Sequence, residues 1–140
     1  MLLAHEARAR LLVSAAALIV DLHWVDFETL VDILFARSGW HRTSVLGETL
    51  KDADLVVEQA VTGETALVQV KSAATQATLD RYITRFDDIG VWSRMFFVCH
   101  TPKGSLMTAG RDDVQVWTRE AIAERVLSHG LFDWLLGRVA

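Results

Sequence analysis

The chain has 140 residues, which fits one domain, and 51% of them are apolar, enough to bury a core and to leave an apolar surplus for an oligomer face. The net charge of −4 excludes a chain that binds nucleic acid through overall basicity, so any such contact must come from a local patch. The only cysteine, Cys99, excludes a disulfide framework and a cysteine-based zinc site, and it suits a reducing cytoplasm.

The first predicted element is a helix over residues 3–22, rich in alanine and leucine. Its apolar residues wrap most of the way around, which predicts a helix that is covered on several sides. The apolar run 11–20 follows two arginines, as in a signal peptide, but no small-x-small cleavage site follows it closely. The run is too short to span a bilayer, so we interpret it as part of a buried helix.

A second helix is predicted from the spacing of apolar residues over 27–35, with Asp26 as its N-cap and Glu28 in its first turn. Gly39 ends this helix. Three strands follow, with a turn at Gly47 between the first two and a hairpin centred on Gly63 between the last two. The predicted strands span residues 40–46, 54–60 and 66–71.

The second half of the chain alternates between helices and strands. The almost continuous apolar run 94–101 is typical of a central parallel strand. The other predicted elements are a helix over 75–89, a strand over 114–117, a helix over 118–129 that is capped by Thr118 and stopped by Gly130, and a last helical segment over 131–139. This order predicts an α/β three-layer sandwich, with a five-stranded mixed sheet and helices on both faces. We expect one domain over 1–140, in which an N-terminal helix (1–22) precedes a core (24–134).

Polar residues interrupt the third predicted strand near its end. Residues two apart on a strand share a face, so Gln69 and Lys71 project to the same side. The hairpin brings Asp54, at the start of the preceding strand, back to the same end of the sheet as Lys71. Glu28, in the first turn of its helix, is expected to approach that end as well.

An acidic residue, an amide oxygen and an ammonium at one end of a sheet fit metal-dependent phosphodiester chemistry. Asp54 and Gln69 offer the hard oxygen ligands that Mg²⁺ prefers, with the Val70 carbonyl and Glu28 as further ligands. A water made more acidic by the ion attacks phosphorus, while Lys71 orients that water and offsets the developing charge. Mn²⁺ is expected to replace Mg²⁺.

The segment DADLVVEQAVTGETALVQVKS, residues 52–72, resembles the core motif of the PD-(D/E)xK nuclease superfamily. Its glutamine form is similar to the Mrr-like restriction endonuclease branch. On this resemblance Asp54 matches the motif aspartate, Gln69 the acidic or glutamine position, and Lys71 the motif lysine. Glu28 matches a glutamate that some members carry on the first core helix.

The resemblance extends over about residues 24–134, because the order of elements matches as well as the motif. It implies a restriction-endonuclease-like fold and a Mg²⁺-dependent DNA endonuclease that works as a homodimer, since two subunits are needed to cut both strands.

Departures from the motif keep other interpretations open. Ala53 replaces the motif proline, Asp52 competes with Asp54 for the aspartate role, and Gln69 lowers the negative charge of the site by one. The alternative is a nuclease fold that serves as a non-catalytic module, which binds nucleic acid or assembles with protein. A third interpretation is a small cytosolic partner protein, whose apolar helices bind another chain.

Three further sets of residues have plain structural interpretations. The histidines show no zinc-ligand spacing, and His100, which follows a buried strand, is best interpreted as structural. Cys99 is predicted to be a buried small hydrophobic residue. Basic residues in loops and on polar helix faces can contact phosphates if they surround the Asp54–Lys71 end, although each one alone fits ordinary surface charge. They are Arg42, Lys51, Arg81, Arg85, Lys103 and Arg111.

Overall fold

A computed structural model describes residues 1–45 and 53–139, and the side chains of all of these except residues 44, 45, 53 and 54. The helices in these ranges are α1 (Leu2–Asp21), α2 (Trp24–Arg37), α3 (Gln76–Ile89), α4 (Arg119–Ser128) and α5 (Phe132–Val139). The strands are β1 (Trp40–Val45), β2 (Ala53–Gln59), β3 (Thr65–Ala74), β4 (Arg94–Pro102) and β5 (Val114–Trp117).

The strands form one sheet in the order β1-β2-β3-β4-β5. β1, β2 and β3 pair antiparallel as a meander, and β4 and β5 continue the sheet in parallel. Because α3 connects β3 to the parallel strand β4, the connection crosses one face of the sheet. The predicted mixed five-stranded sheet with helices on both faces is confirmed.

Each face of the sheet packs into its own core. On the four-helix side, α1, α2, α4 and α5 cover apolar residues such as Val68 and Val70 of β3. On the α3 side, α3 covers Leu67 of β3 together with Met95 and Phe97 of β4. Alternate residues of β3 therefore serve different cores, as the period of two along a strand requires.

The prediction that α1 is covered on several sides is wrong. Ala15 and Ile19 are buried, but Leu11 and Val13 are exposed, Val13 by 73%. The helix contacts α4 and α5, and one side of it therefore stays open. Among the residues that the structure describes, no helix has both the length and the apolarity that a bilayer crossing requires.

The predicted start of α2 is also wrong. The helix begins at Trp24, and the cap is His23, whose ring Nδ1 accepts a hydrogen bond from the Val25 amide at 3.2 Å. Asp26 therefore lies in the first turn rather than at the N-cap, and Glu28 lies in the second turn. A histidine ring takes the place of the carboxylate because its unprotonated nitrogen is also an acceptor.

β3 runs three residues past its predicted end at Lys71. Ala73 and Ala74 pair with Thr101 and Pro102 of β4, so the parallel ladder extends the strand. Lys71 consequently lies inside the strand. The predicted turn at Gly47 lies outside the described residues.

Candidate functional site

Gln69 is a polar side chain inside an apolar layer. It is fully buried, it is two residues along β3 from Leu67, and its parallel neighbour on β4 is Phe97, so it lies on the α3 side. Among the side chains and backbone groups that the structure describes, neither Oε1 nor Nε2 of the Gln69 side chain has a hydrogen-bond partner. Leaving a buried polar group unsatisfied costs about 1–3 kcal/mol, so nearly all such groups in folded proteins are paired. This amide is therefore the clearest sign of a site that takes a ligand.

The backbone of Asp54 lies directly beside Gln69. In the antiparallel ladder of β2 and β3, Asp54 is the Cα partner of Gln69, and Ala53 is the partner of Val70. Residues opposed in this way have Cα atoms about 4.5–5.5 Å apart. The sequence predicted that Asp54 lies near Lys71, at the end of the sheet. In the observed register Asp54 pairs with Gln69, two residues before Lys71 on β3.

Lys71 lies on the α3 side with Gln69 and is half-buried. Its Nζ is 5.4 Å from the centroid of the Tyr82 ring, which holds the ammonium by a cation–π contact. The Tyr82 ring also lies 6.1 Å from that of Phe97, the strand neighbour of Gln69. Tyr82 therefore belongs to the candidate site, a role that we did not predict from the sequence. No local pattern predicts which side chain a ring will contact.

Glu28 stands apart from this group. Its helix, α2, packs on the four-helix side through Phe27 and Leu30, whereas Gln69 and Lys71 face α3. The short turn after α2 makes the helix run back along β1, so its N-terminal half lies at the end of the sheet where β2 begins. The structure thus places Glu28 near the correct end but on the other face, and its role as a ligand stays a prediction.

Val70 lies between Gln69 and Lys71, and its side chain is fully buried in the core of the four-helix side. Only its backbone carbonyl is left for the predicted ligand role, which also stays a prediction.

The structure separates the six candidate basic residues. Arg42 pairs with Asp32 at 3.0 Å, and Arg111 pairs with Asp87 and Asp113 at 2.7 and 2.8 Å, so these two serve structural ion pairs. Hydrogen bonds from Arg111 hold the pKa values of Asp87 and Asp113 below their usual range. Lys103 is exposed just beyond β4, and Lys51 lies outside the described residues. Arg81 and Arg85 lie on α3 beside the site.

Cys99 is buried, as predicted, and His100, for which only a structural role was predicted, is buried as well. His100 lies on the four-helix side, where its ring meets that of Phe27 edge-on with centroids 4.6 Å apart. Its Nδ1 is 2.7 Å from the Thr101 hydroxyl. Burial lowers the pKa of His100, and the charge of Arg119 lowers it further. For Cys99, burial raises the pKa of the thiol.

The low pKa of His100 predicts a loss of stability in acid. The unfolded chain takes up a proton near the ordinary value of pH 6.5, but the folded chain resists this uptake until lower pH. The free energy of unfolding should therefore fall as the pH decreases below 6.5 toward the folded-state pKa. Urea denaturation across this range should show a flatter pH profile for His100→Gln than for wild type. The exposed His41→Gln is the control, and equal profiles for wild type and His100→Gln would contradict the assignment.

Comparison with known proteins supplies one match. A family model described as restriction endonuclease, the Mrr catalytic domain, matches residues 19–90, just over half of the chain. The matched range includes Glu28, Asp54, Gln69 and Lys71, together with all of α2, β2, β3 and α3. No curated protein and no solved structure matches the chain significantly. With its mixed five-stranded sheet and this match, the chain belongs to the restriction endonuclease family of Mrr-type catalytic domains.

Proposed function

We propose that this chain is a metal-dependent DNA endonuclease whose site consists of Asp54, Gln69 and Lys71. Membership of the nuclease family supports the reaction class. The observation that carries the proposal is the buried amide of Gln69, which has no hydrogen-bond partner within the described part of the chain and lies directly opposite Asp54 in the ladder. A purely structural residue at this position would be apolar, because the layer around it is built from Leu67 and Phe97.

The residues present fit a divalent cation. Gln69 offers a carbonyl oxygen to which no described group donates, and Asp54 would add a carboxylate at the adjacent register position. The Val70 carbonyl would add a further hard oxygen ligand, and Glu28, whose helix packs on the other face, would join the set only around the end of the sheet. When bound, such an ion polarises a phosphoryl oxygen as a Lewis acid and makes hydroxide available at neutral pH.

Lys71 supplies the positive charge that the chain itself contributes to the reaction. Hydrolysis forms a bond from water oxygen to phosphorus and breaks the bond to the leaving sugar oxygen, while negative charge builds on the phosphoryl oxygens. The Lys71 ammonium, which lies beside Tyr82, would donate hydrogen bonds to those oxygens and orient the attacking water. Its place within β3 limits the motion of its backbone, so the charge is positioned before the reaction begins.

The direct experiment is a cleavage panel over duplex DNA, single-stranded DNA and RNA, each with Mg²⁺, with Mn²⁺ and with EDTA. We expect the protein to cut duplex DNA with Mg²⁺ or Mn²⁺ and not in EDTA. Cutting of RNA alone would support a phosphodiesterase but would rule out DNA as its substrate. If the protein binds nucleic acid but cuts none of the three substrates with either ion, the non-catalytic module is favoured instead.

We also propose that two copies act together through α1. An apolar groove of about 600 Å³ between α1 and α4 is lined by Ala9, Leu12 and Val13, and it continues the exposed apolar side of α1. A second copy that covers this side would bury the surplus apolar surface. Light scattering should give a mass of two chains for wild type and of one chain for Val13→Glu. A monomeric wild type at the concentrations that support cleavage would contradict the dimer.

A further inference from the structure

The Tyr82 ring lies against the ammonium of Lys71 and is itself packed into the core. The Nζ of Lys71 lies over the ring, 5.4 Å from its centroid. The centroid of the Phe97 ring on β4 is 6.1 Å from the same point, and Tyr82 is only 8% exposed. A cation is attracted to an aromatic face because that face carries the negative part of the ring quadrupole. Tyr82 therefore presents Lys71 with a fixed surface that attracts its charge.

The helix that carries Tyr82 is held at both ends. At its start, Gln76 Nε2 donates a hydrogen bond to the Met107 carbonyl at 2.8 Å, and the Met107 amide donates to Gln76 Oε1 at 2.7 Å. Near its end, Arg111 donates two hydrogen bonds to the Asp87 carboxylate, both at 2.7 Å. Met107 and Arg111 belong to the segment between β4 and β5. Because this segment holds α3 at two points, the backbone of Tyr82 has a fixed place above the sheet.

The buried row of α3 shows that packing alone does not require a ring at position 82. Leu79, one turn earlier, fills the same core with an aliphatic side chain. Phe86, one turn later, is 4% exposed and does carry a ring, but its centroid lies 5.8 Å from the Cζ of Arg111, which belongs to a structural ion pair. Tyr82 and Phe86 thus have the same packing role and contact different cations, which makes them a matched pair.

We infer that Tyr82 is a positioning residue, whose ring rather than its hydroxyl group orients the Lys71 ammonium for cleavage. A lysine side chain is flexible, so its ammonium occupies one place only when contacts restrict its rotamers. The ring supplies such a contact and adds to the further interaction that Lys71 makes. The ammonium then needs little rearrangement when negative charge develops on the phosphate. The benefit to cleavage rests on the proposed function, whereas the hold of the ring on Lys71 rests on the geometry.

The first measurement is NMR of the lysine side chains, which needs neither substrate nor metal. Lysine occurs only at positions 51, 71 and 103, and the signal that disappears in Lys71→Met belongs to Lys71. Because an aromatic ring current shifts protons above its face upfield, the Hε signals of Lys71 should lie upfield of those of the exposed Lys103. The shift should persist in Tyr82→Phe and vanish in Tyr82→Leu. Phe86→Leu, which removes the other buried ring of α3, should keep it.

The second measurement is steady-state cleavage of duplex DNA by the same variants. Tyr82→Leu should lower kcat by about 10–100-fold, the cost of misplacing a reacting group, with little change in KM. Tyr82→Phe should restore the wild-type kcat, and Phe86→Leu should keep it. In a Lys71→Ala background, Tyr82→Leu should cause no more than about a twofold further loss, because the effects of two residues that act as a unit are not additive.

The two measurements separate this role from the nuclease activity. If the Lys71 signal of wild type is not shifted, or stays shifted in Tyr82→Leu, the positioning role is overturned. Equal losses of kcat in Tyr82→Leu and Phe86→Leu would also overturn it, because packing alone would explain them. If the shift depends on the ring but wild type cuts no substrate, the hold on Lys71 is supported and only the nuclease activity fails. Thermal melts check that the variants are folded, and Tyr82→Met, an adaptable side chain without a ring, replaces Tyr82→Leu if that variant is not.

Discussion

Lys71→Ala is expected to lower the rate of metal-dependent DNA cleavage by about 10²–10³-fold, the usual cost of removing one donor that stabilises charge in a transition state. The loss should fall mainly on kcat, because the ammonium acts where negative charge develops on phosphorus. Because Lys71 is half-buried and contacts Tyr82, its removal should also lower the free energy of unfolding slightly, through the lost packing of its stem. Single-turnover cleavage of duplex DNA at saturating protein measures the effect.

Arg94→Ala removes one positive charge at the opposite end of β3 and β4, where Arg94 is the ladder partner of Ala66, and should cut at the wild-type rate. Asp54→Ala should be as inactive as Lys71→Ala. Equal residual cutting by wild type and by both site variants would point to a contaminating nuclease and would remove the assignment.

Gln69→Met is expected to stabilise the fold while removing the response to metal. The substitution replaces two polar atoms, which have no partner among the described residues, by an apolar side chain of similar length, so the free energy of unfolding in EDTA should rise by about 1–3 kcal/mol. With Mn²⁺ present, wild type should gain stability through ligand binding, and Gln69→Met should not. Urea denaturation with EDTA and with Mn²⁺ measures both effects.

Leu67→Met is the control, since Leu67 is equally buried on the same face of β3. It should cost less than about 1.5 kcal/mol and should leave the Mn²⁺ response intact. A Gln69→Met variant that is less stable than wild type in EDTA would mean that the amide is satisfied within the folded chain. The inference that Gln69 lowers the stability of the fold in order to bind a metal ion would then be wrong.

The element order could be predicted from sequence because it depends on local signals. The apolar run of β4, the turn at Gly63 and the stop at Gly39 each act over a few residues, and Gly39 indeed adopts a φ of +87° where an added Cβ would lie 2.6 Å from Gln59 Oε1. The period of two along β3 likewise assigned Gln69 and Lys71 to one face.

Features that depend on distant partners could not be predicted in this way. The register of β2 against β3 is set by the hairpin, where the Gln59 amide donates to the Glu64 carbonyl at 2.8 Å, and this register places Asp54 opposite Gln69. The open side of α1 depends on where α4 and α5 pack. For Glu28, the expected approach to the site rested on its position near the start of its helix, whereas the face that α2 covers is decided by the whole layer arrangement.

The central claim is that Asp54 and Gln69 hold a divalent cation, and calorimetric titration of Mn²⁺ into the purified protein tests it most directly. We expect saturable binding by wild type, a flat titration for Asp54→Ala and for Gln69→Met, and binding by Leu67→Met that equals that of the wild type. A flat titration for wild type, or equal binding by wild type and Asp54→Ala, would contradict the claim and would favour a nuclease fold that binds without cutting.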